Sequence, residues 1–373
     1  MEVKIITIHD PDVNYGSTLQ SCGLYNFITD LGYNAEIINY KPNYKTLSQR
    51  IKGVASKLLF FRKVRSRRCK INKYLDQHAK LTRLYRNAEE LDKNPPVADV
   101  YITGSDVIWN RDINPEGADS SFYLGFVKEG IKMSYAPSMG EIQPIENIKY
   151  VADQIHDFKF ISVREEQSKE QLIKYGIKNV MCVLDPVFLL DKRYYEKQVL
   201  PNSYGEYTLV YLMSDTPEKR SFVDNISRKY GDPVIAFGGL KQKSKCDAFI
   251  RDAGVEDFLS LIYNAQNIVT DSFHCIAFSL IFEKQFLYLP SIDSSMRIEN
   301  LLNYVNLEYR IVNSQNALDN ESAVYECIDY EKTRLLLNNK IIESKTYLTN
   351  ALNECQSEIT KEAIDATEIF HRA

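Results

Sequence analysis

Short β-branched runs alternate with helical patterns along this chain, and that alternation restricts the fold more than any other feature. VKIITI (3–8) reads as a buried strand. Leu19 to Leu31 follow at helical spacing with Gly32 as a stop, and NAEIINY (34–40) is the next strand, closed by Pro42. A strand–helix–strand unit of this kind joins two parallel strands by a crossover helix. DVYITG (99–104), KMSYAP (132–137), FKFISVR (158–164) and NVMCVLDP (179–186) continue the series. A second series holds YTLVYLM (207–213), PVIAFGG (233–239), NIVTD (267–271) and QFLYLP (285–290), with helical patterns at 217–230 and 272–283. The expected class is α/β, with parallel sheets covered on both faces.

The series breaks at LPNSYGEY (200–207), a polar Pro/Gly/Asn stretch that reads as a domain boundary. The expected organisation is an N-terminal domain over 1–200, a second over 206–315 and a helical segment over 316–373. From Tyr330 onward the chain has no Gly or Pro and is rich in helix formers. A length of 373 residues suits two domains.

Composition excludes several classes. Apolar residues at 44% and charged residues at 26% are ordinary for a globular protein. Lys plus Arg (46) against Asp plus Glu (50) argues against nucleic acid as a partner. No apolar run approaches the ~18 residues of a membrane span. MEVKIITIHD enters a strand without the order of a signal peptide, so a cytoplasmic protein is expected. Seven cysteines without a CxxC pair read as reduced thiols, and five histidines without HExxH leave no expected metal site. One charge run stands out: Arg62, Lys63, Arg65, Arg67, Arg68 and Lys70, beside VASKLLFF (54–61). It reads as a solvated helix face, or as a patch for an anionic lipid head group or a diphosphate-linked acceptor.

Ligands of open α/β sheets bind at the carboxyl ends of strands, often at helix N-termini. Four strand exits carry suitable residues. HDPDVNYGSTLQS (9–21) offers Asn14, Tyr15 and Gly16 in a tight turn, with Ser17 and Thr18 as caps, but is not GxGxxG. GSDVIWN (104–110) places Ser105 and Asp106 at a strand end, beside Trp109. ISVREEQS (161–168) puts Arg164 at another, where its fork suits a carboxylate or phosphate. VTDSFHCIAFSLIF (269–282) sets Asp271, Ser272 and His274 at the start of an apolar helix.

Together these segments resemble the polysaccharide pyruvyl transferase family, over roughly residues 3–310. ITIHDPDVNYGSTLQSCGLYNFI (6–28) resembles the family's strand followed by N-Y-G and L-Q. DVYITGSDVIWN resembles its G-S-D-x-x-W-N, and MSYAPSMG (133–140) its S-Y-A-x-S-x-G. SVREEQS resembles its S-V-R-E, VLDPVFLL (183–190) its D-P element, and TDSFHCIAFSLIF its S-x-H-G helix. Val107 replaces a frequent Gln, Pro137 sits inside S-Y-A-x-S, and Cys275 replaces the Gly after the motif His. Ser272 stands where some branches carry Arg, which removes a cation that Arg164 and Arg297 would supply.

The resemblance implies two facing Rossmann-like domains, similar to the GT-B glycosyltransferases. It implies transfer of pyruvate from phosphoenolpyruvate to two hydroxyls of a sugar as a cyclic ketal, with no metal or organic cofactor. The sugar would belong to a surface polysaccharide or its polyprenyl-diphosphate-linked precursor, with the enzyme at the inner face of the membrane. Phosphoenolpyruvate is a multiply charged anion, so Arg164 and the helix start at Ser272–His274 are assigned to the donor, with Arg297 as a third contact. His274 is the expected proton donor and Asp106 the proton acceptor. Asn14, Tyr15, Gly16, Ser105 and Asp106 are assigned to the acceptor. The rival readings are a nucleotide-sugar glycosyltransferase on the same fold and a non-catalytic glycan-binding protein.

Overall fold

The computed structural model of the chain describes residues 1–9, 15–42, 61–111, 119–140, 143–214, 216–238, 245–290, 296–312 and 326–372. The first sheet contains β1 (Glu2–Ile6), β2 (Asn34–Tyr40), β3 (Leu81–Tyr85), β4 (Val100–Thr103) and β5 (Ile131–Ser134), in the order β3-β2-β1-β4-β5. Every pairing is parallel. A parallel pair, β6 (Ile161–Val163) and β7 (Val180–Cys182), continues this sheet through a bridge from Met133 to Phe160.

The second sheet holds β8 (Thr208–Tyr211), β9 (Val234–Phe237), β10 (Ala248–Ile250), β11 (Asn267–Thr270) and β12 (Gln285–Tyr288), in the order β10-β9-β8-β11-β12, again all parallel. Both orders reverse direction beside the first strand of the sheet. The crevices therefore open at the ends of β1 and β4 in one domain and of β8 and β11 in the other.

The central strands are largely apolar because helices cover both faces, with Lys4 of β1 the buried charged exception. In β1, Val3 and Ile5 enter one core with Leu24 and Ile28, while Ile6 enters another with Trp109 and Tyr123. In β8, Leu209 and Tyr211 face one core and Val210 the other. The expected central strands appear, trimmed at their ends. The edge strands β3 (LTRLY) and β10 (AFI) were not anticipated. Edge strands are only half covered, so β3 mixes polar with apolar residues and β10 is an apolar run of only three.

The helices between the strands obey local chemistry. Helix α1 (Tyr15–Asp30) begins earlier than the apolar spacing predicts and ends before Gly32, which takes a positive φ of 90°. Helix α2 (Phe61–His78) carries the basic run, and α3 (Ala88–Lys93) is capped by Asn87. Then come α4 (Ile145–Gln154), α5 (Glu166–Lys174) and α6 (Lys192–Glu196). In the second domain, α7 (Pro217–Tyr230) starts at a Thr216 cap followed by Pro and stops at Gly231. Helices α8 (Val255–Asn264), α9 (Phe273–Phe282) and α10 (Met296–Tyr304) complete that domain.

The basic run reads differently in three dimensions. Ile71, Tyr74 and Leu75 of α2 share a core with Tyr211, Phe258 and Phe278 of the second domain. Lys63 pairs with Asp252 at 3.1 Å and Lys70 with Asp257 at 2.7 Å. Two of the six cations therefore bind the partner domain rather than facing a lipid surface. The last helix, α11 (Tyr330–Arg372), runs for 43 residues. Its Leu337 packs with the second domain, but Leu348, Ala351, Leu352 and Cys355 enter the core of the first. It thus returns to the N-terminal domain.

Candidate functional site

The exits of β4, β6, β7 and β11 converge on one buried carboxylate. Asp185 follows β7 and caps the 3₁₀ turn Pro186–Phe188, accepting from Val187 N at 3.0 Å. Arg164, directly after β6, places Nη2 2.7 Å from Asp185 Oδ2. The same Nη2 donates to Ser105 Oγ, which in turn donates to Asp185 Oδ2 at 3.4 Å. His274, in the first turn of α9, holds Nε2 3.5 Å from the same oxygen, beyond a formed hydrogen bond. All four side chains are buried. Burial alone would push the Asp185 carboxyl up, but the Arg164 guanidinium and the His274 imidazole outweigh it and hold it at about 2.

Three side-chain nitrogens of this cluster are unspent. Arg164 Nε and Nη1 are buried without a hydrogen-bond partner, as is His274 Nε2. A buried guanidinium rarely leaves donors unpaired, so the site is built for an acceptor-rich group. The guanidinium lies over the Phe273 ring, 5.1 Å from its centroid. Beside it opens a cavity of about 430 Å³, walled by Arg164, Asp185 and Phe273 on one side and by α10 and α11 on the other.

The structure brings the two sets of expected site residues into contact. A Cβ on Gly16 would fall 1.9 Å from His274 Nδ1, so the imidazole rests directly on the backbone of α1. Asp106 takes a positive φ of 77° and accepts from Ser17 Oγ at 2.7 Å and from its neighbour Val107 N at 2.9 Å. Tyr15 does not line an open surface. Its ring is buried in the second domain, stacked on Phe258 at 5.1 Å and tilted against Phe237 at 5.8 Å. Burial pushes the Tyr15 hydroxyl up to about 12. Ser272 is the N-cap residue of α9, without a side-chain cap bond. Arg297, in α10, walls the cavity. Asn14 lies outside the described residues.

Asp185, the hub of the cluster, was missed as a site residue. Its signal was present, because Leu-Asp-Pro follows a β-branched run just as the other strand exits do. Glu165 was missed as well: it is fully buried and its carboxyl is raised by desolvation, with Arg164 pulling the other way. In the second domain, Asp271 accepts from Met213 N, Ser214 N and Lys219 Nζ, the last at 2.7 Å, tying the exits of β8 and β11 together. Among the described residues no group of three or more His, Cys, Asp or Glu could hold a metal ion.

Solved structures share this architecture. UDP-GlcNAc 2-epimerase from Neisseria meningitidis, bound to UDP-GlcNAc, superposes with a TM-score of 0.55 at 11% identity, covering 95% of this chain and 100% of that one. The Methanocaldococcus jannaschii UDP-GlcNAc 2-epimerase complex gives 0.52 at 14%, covering 91% and 99%. Arabidopsis thaliana UGT89C1 gives 0.52 at 10%, covering 95% and 99%. The fold is therefore of the GT-B class: two facing Rossmann-like domains with a cleft between their strand ends. The comparison with curated proteins returns no match. The sequence model of the polysaccharide pyruvyl transferase family matches residues 14–294, and the chain belongs to that family.

Proposed function

We propose that the protein transfers pyruvate from phosphoenolpyruvate to two hydroxyls of one sugar in a cell-surface polysaccharide or its lipid-linked precursor. The observation that carries this reading is the Arg164 guanidinium. It is buried, anchored through Nη2 on Asp185, and keeps Nε and Nη1 unpartnered beside His274. A phosphate or carboxylate offers the oxygens those donors lack.

In the proposed reaction His274 gives a proton to the vinyl carbon, which becomes the methyl group. One sugar hydroxyl attacks the adjacent carbon, and the phosphate leaves with the electron pair of its C–O bond. The second hydroxyl closes the ketal. Of the two hydroxyl protons, one restores His274 and the other goes to phosphate. Asp185 orients the imidazole, and Asp106, the assigned proton acceptor, relays the second hydroxyl proton to the phosphate. The reaction is placed at the inner face of the membrane, in the cytoplasm. Among the described residues no helix is long and apolar enough to cross a membrane.

A donor titration tests this reading. Phosphoenolpyruvate, but not UDP- or GDP-sugars, raises the melting temperature, and Arg164→Ala and His274→Ala abolish the rise. Stabilisation by a nucleotide sugar alone would replace this reading with glycosyl transfer. Donor and acceptor binding without turnover would leave a glycan-binding role.

A further inference from the structure

We infer that the cavity between the β7 exit, α10 and α11 is the subsite for the acceptor's saccharide unit, and that Asn303, Tyr304 and Lys340 recognise it. This rests on the pyruvyl-transfer reading, which it extends to the second substrate.

The residues at the β1 and β4 exits that fall within the described part of the chain are already engaged. Tyr15 is stacked in the second domain, and Gly16 is covered by the His274 ring. Ser105 is bonded to Arg164 and Asp185, and Asp106 to Ser17 and Val107. The cavity offers what those exits do not. At about 430 Å³ it falls in the range of small-molecule sites. A sugar ring needs donors and acceptors around its rim and apolar surface against its C–H faces. The Asn303 amide supplies both donor and acceptor, the Lys340 ammonium supplies donors, and the Glu166 carboxylate accepts. The Tyr304 ring, 40% exposed, and Phe273 supply the apolar surface.

Lys340 is held for this task. Its side chain is 15% exposed, with Nζ 2.8 Å from Glu343 and 5.8 Å from the Tyr304 ring centroid. Arg164 belongs to both the cavity and the buried cluster, so a sugar here lies next to the donor, as ketal closure demands.

Saturation-transfer NMR with the methyl glycosides of glucose, galactose, mannose and N-acetylglucosamine tests the subsite, with and without inorganic phosphate. The variants are Asn303→Ala and Lys340→Met. Asn303 is exposed, so its variant keeps the fold even if the other does not. At least one glycoside is expected to bind the native protein, and each variant to weaken it, by about tenfold for Lys340→Met and several-fold for Asn303→Ala. The rise in melting temperature with phosphoenolpyruvate is expected to persist in both. Equal glycoside binding by native protein and variants overturns the subsite, as does binding of none of the four. Glycoside binding that both variants lose, without any phosphoenolpyruvate response, leaves the subsite standing and overturns pyruvyl transfer.

Discussion

The imidazole of His274 occupies the space that a side chain on Gly16 would need. A Cβ there would stand 1.9 Å from Nδ1 and 2.2 Å from Cγ. The two residues come from different domains, so the contact fixes the ring across the cleft. Gly16→Ala must push the ring out of its present position beside Asp185. A displacement of about 1 Å at a reacting group can cost 10²-fold in rate. Helix propensity by itself favours Ala by roughly 1 kcal/mol. The expected result is a folded protein with at least ~10²-fold lower kcat/KM. Wild-type turnover in this variant would show that the ring position is not required.

Asp185 and Arg164 are both buried, so removing one leaves the other's charge uncompensated. Asp185→Asn is expected to lower the unfolding free energy by about 3–5 kcal/mol, read from urea denaturation. Arg164→Lys keeps the charge but loses the fork. Calorimetry should show phosphoenolpyruvate binding weakened by about tenfold or more.

The pH dependence of stability follows from the same carboxylate. Its folded pKa, about 2, lies below the ordinary 3.8, so the native state favours the charged form. The stabilisation is complete above pH ~4 and is lost as the pH falls toward ~2, about 2 kcal/mol in all. Glu165 has the opposite sign, because its folded pKa is raised by burial. Its penalty is absent in acid and grows as the pH rises past the usual carboxylate range. Glu165→Gln should therefore raise the melting temperature at neutral pH, and the gain should vanish near pH 4. A variant less stable than wild type at pH 7 would contradict the sign.

The Tyr15 hydroxyl is buried without a hydrogen-bond partner. Tyr15→Phe removes an unsatisfied group and leaves the stacking, so stability should hold or rise. Tyr15→Ala empties the aromatic cluster and should cost about 3–5 kcal/mol. A destabilised Phe variant would point to a polar role for the hydroxyl.

Lys63–Asp252 and Lys70–Asp257 join the domains near the surface. Exposed pairs contribute about 0.2–1 kcal/mol each, so replacing both lysines with Met should lower the melting temperature slightly at low salt and not at 1 M salt, where the Debye length is about 3 Å.

The architecture was legible in the sequence because parallel strands buried on both faces leave long apolar runs, and because Thr216, Gly231 and Gly32 punctuate their helices. The meeting of strand exits was legible only as a list of positions. Nothing local to Gly16 announces that a histidine from the other domain will rest on it. Nor does the basic run reveal that Asp252 and Asp257 await two of its lysines. Tyr15 shows the difficulty best. It sits in an apparent ligand loop, yet its ring serves as a contact between domains. Of the cavity walls on α10 and α11 only Arg297 stood out in the sequence, because the others are ordinary surface types until two distant helices align them.

Helix α11 carries a consequence for how the chain is made. Leu348, Ala351, Leu352 and Cys355 pack in the same core as Val3, Ile5 and Val100. The strands of the first sheet therefore wait for a seal that is synthesised far downstream of them. At roughly 5–20 residues per second, that leaves one flank of the first sheet uncovered for tens of seconds in the cell. During that interval the nascent protein is a natural client for chaperones.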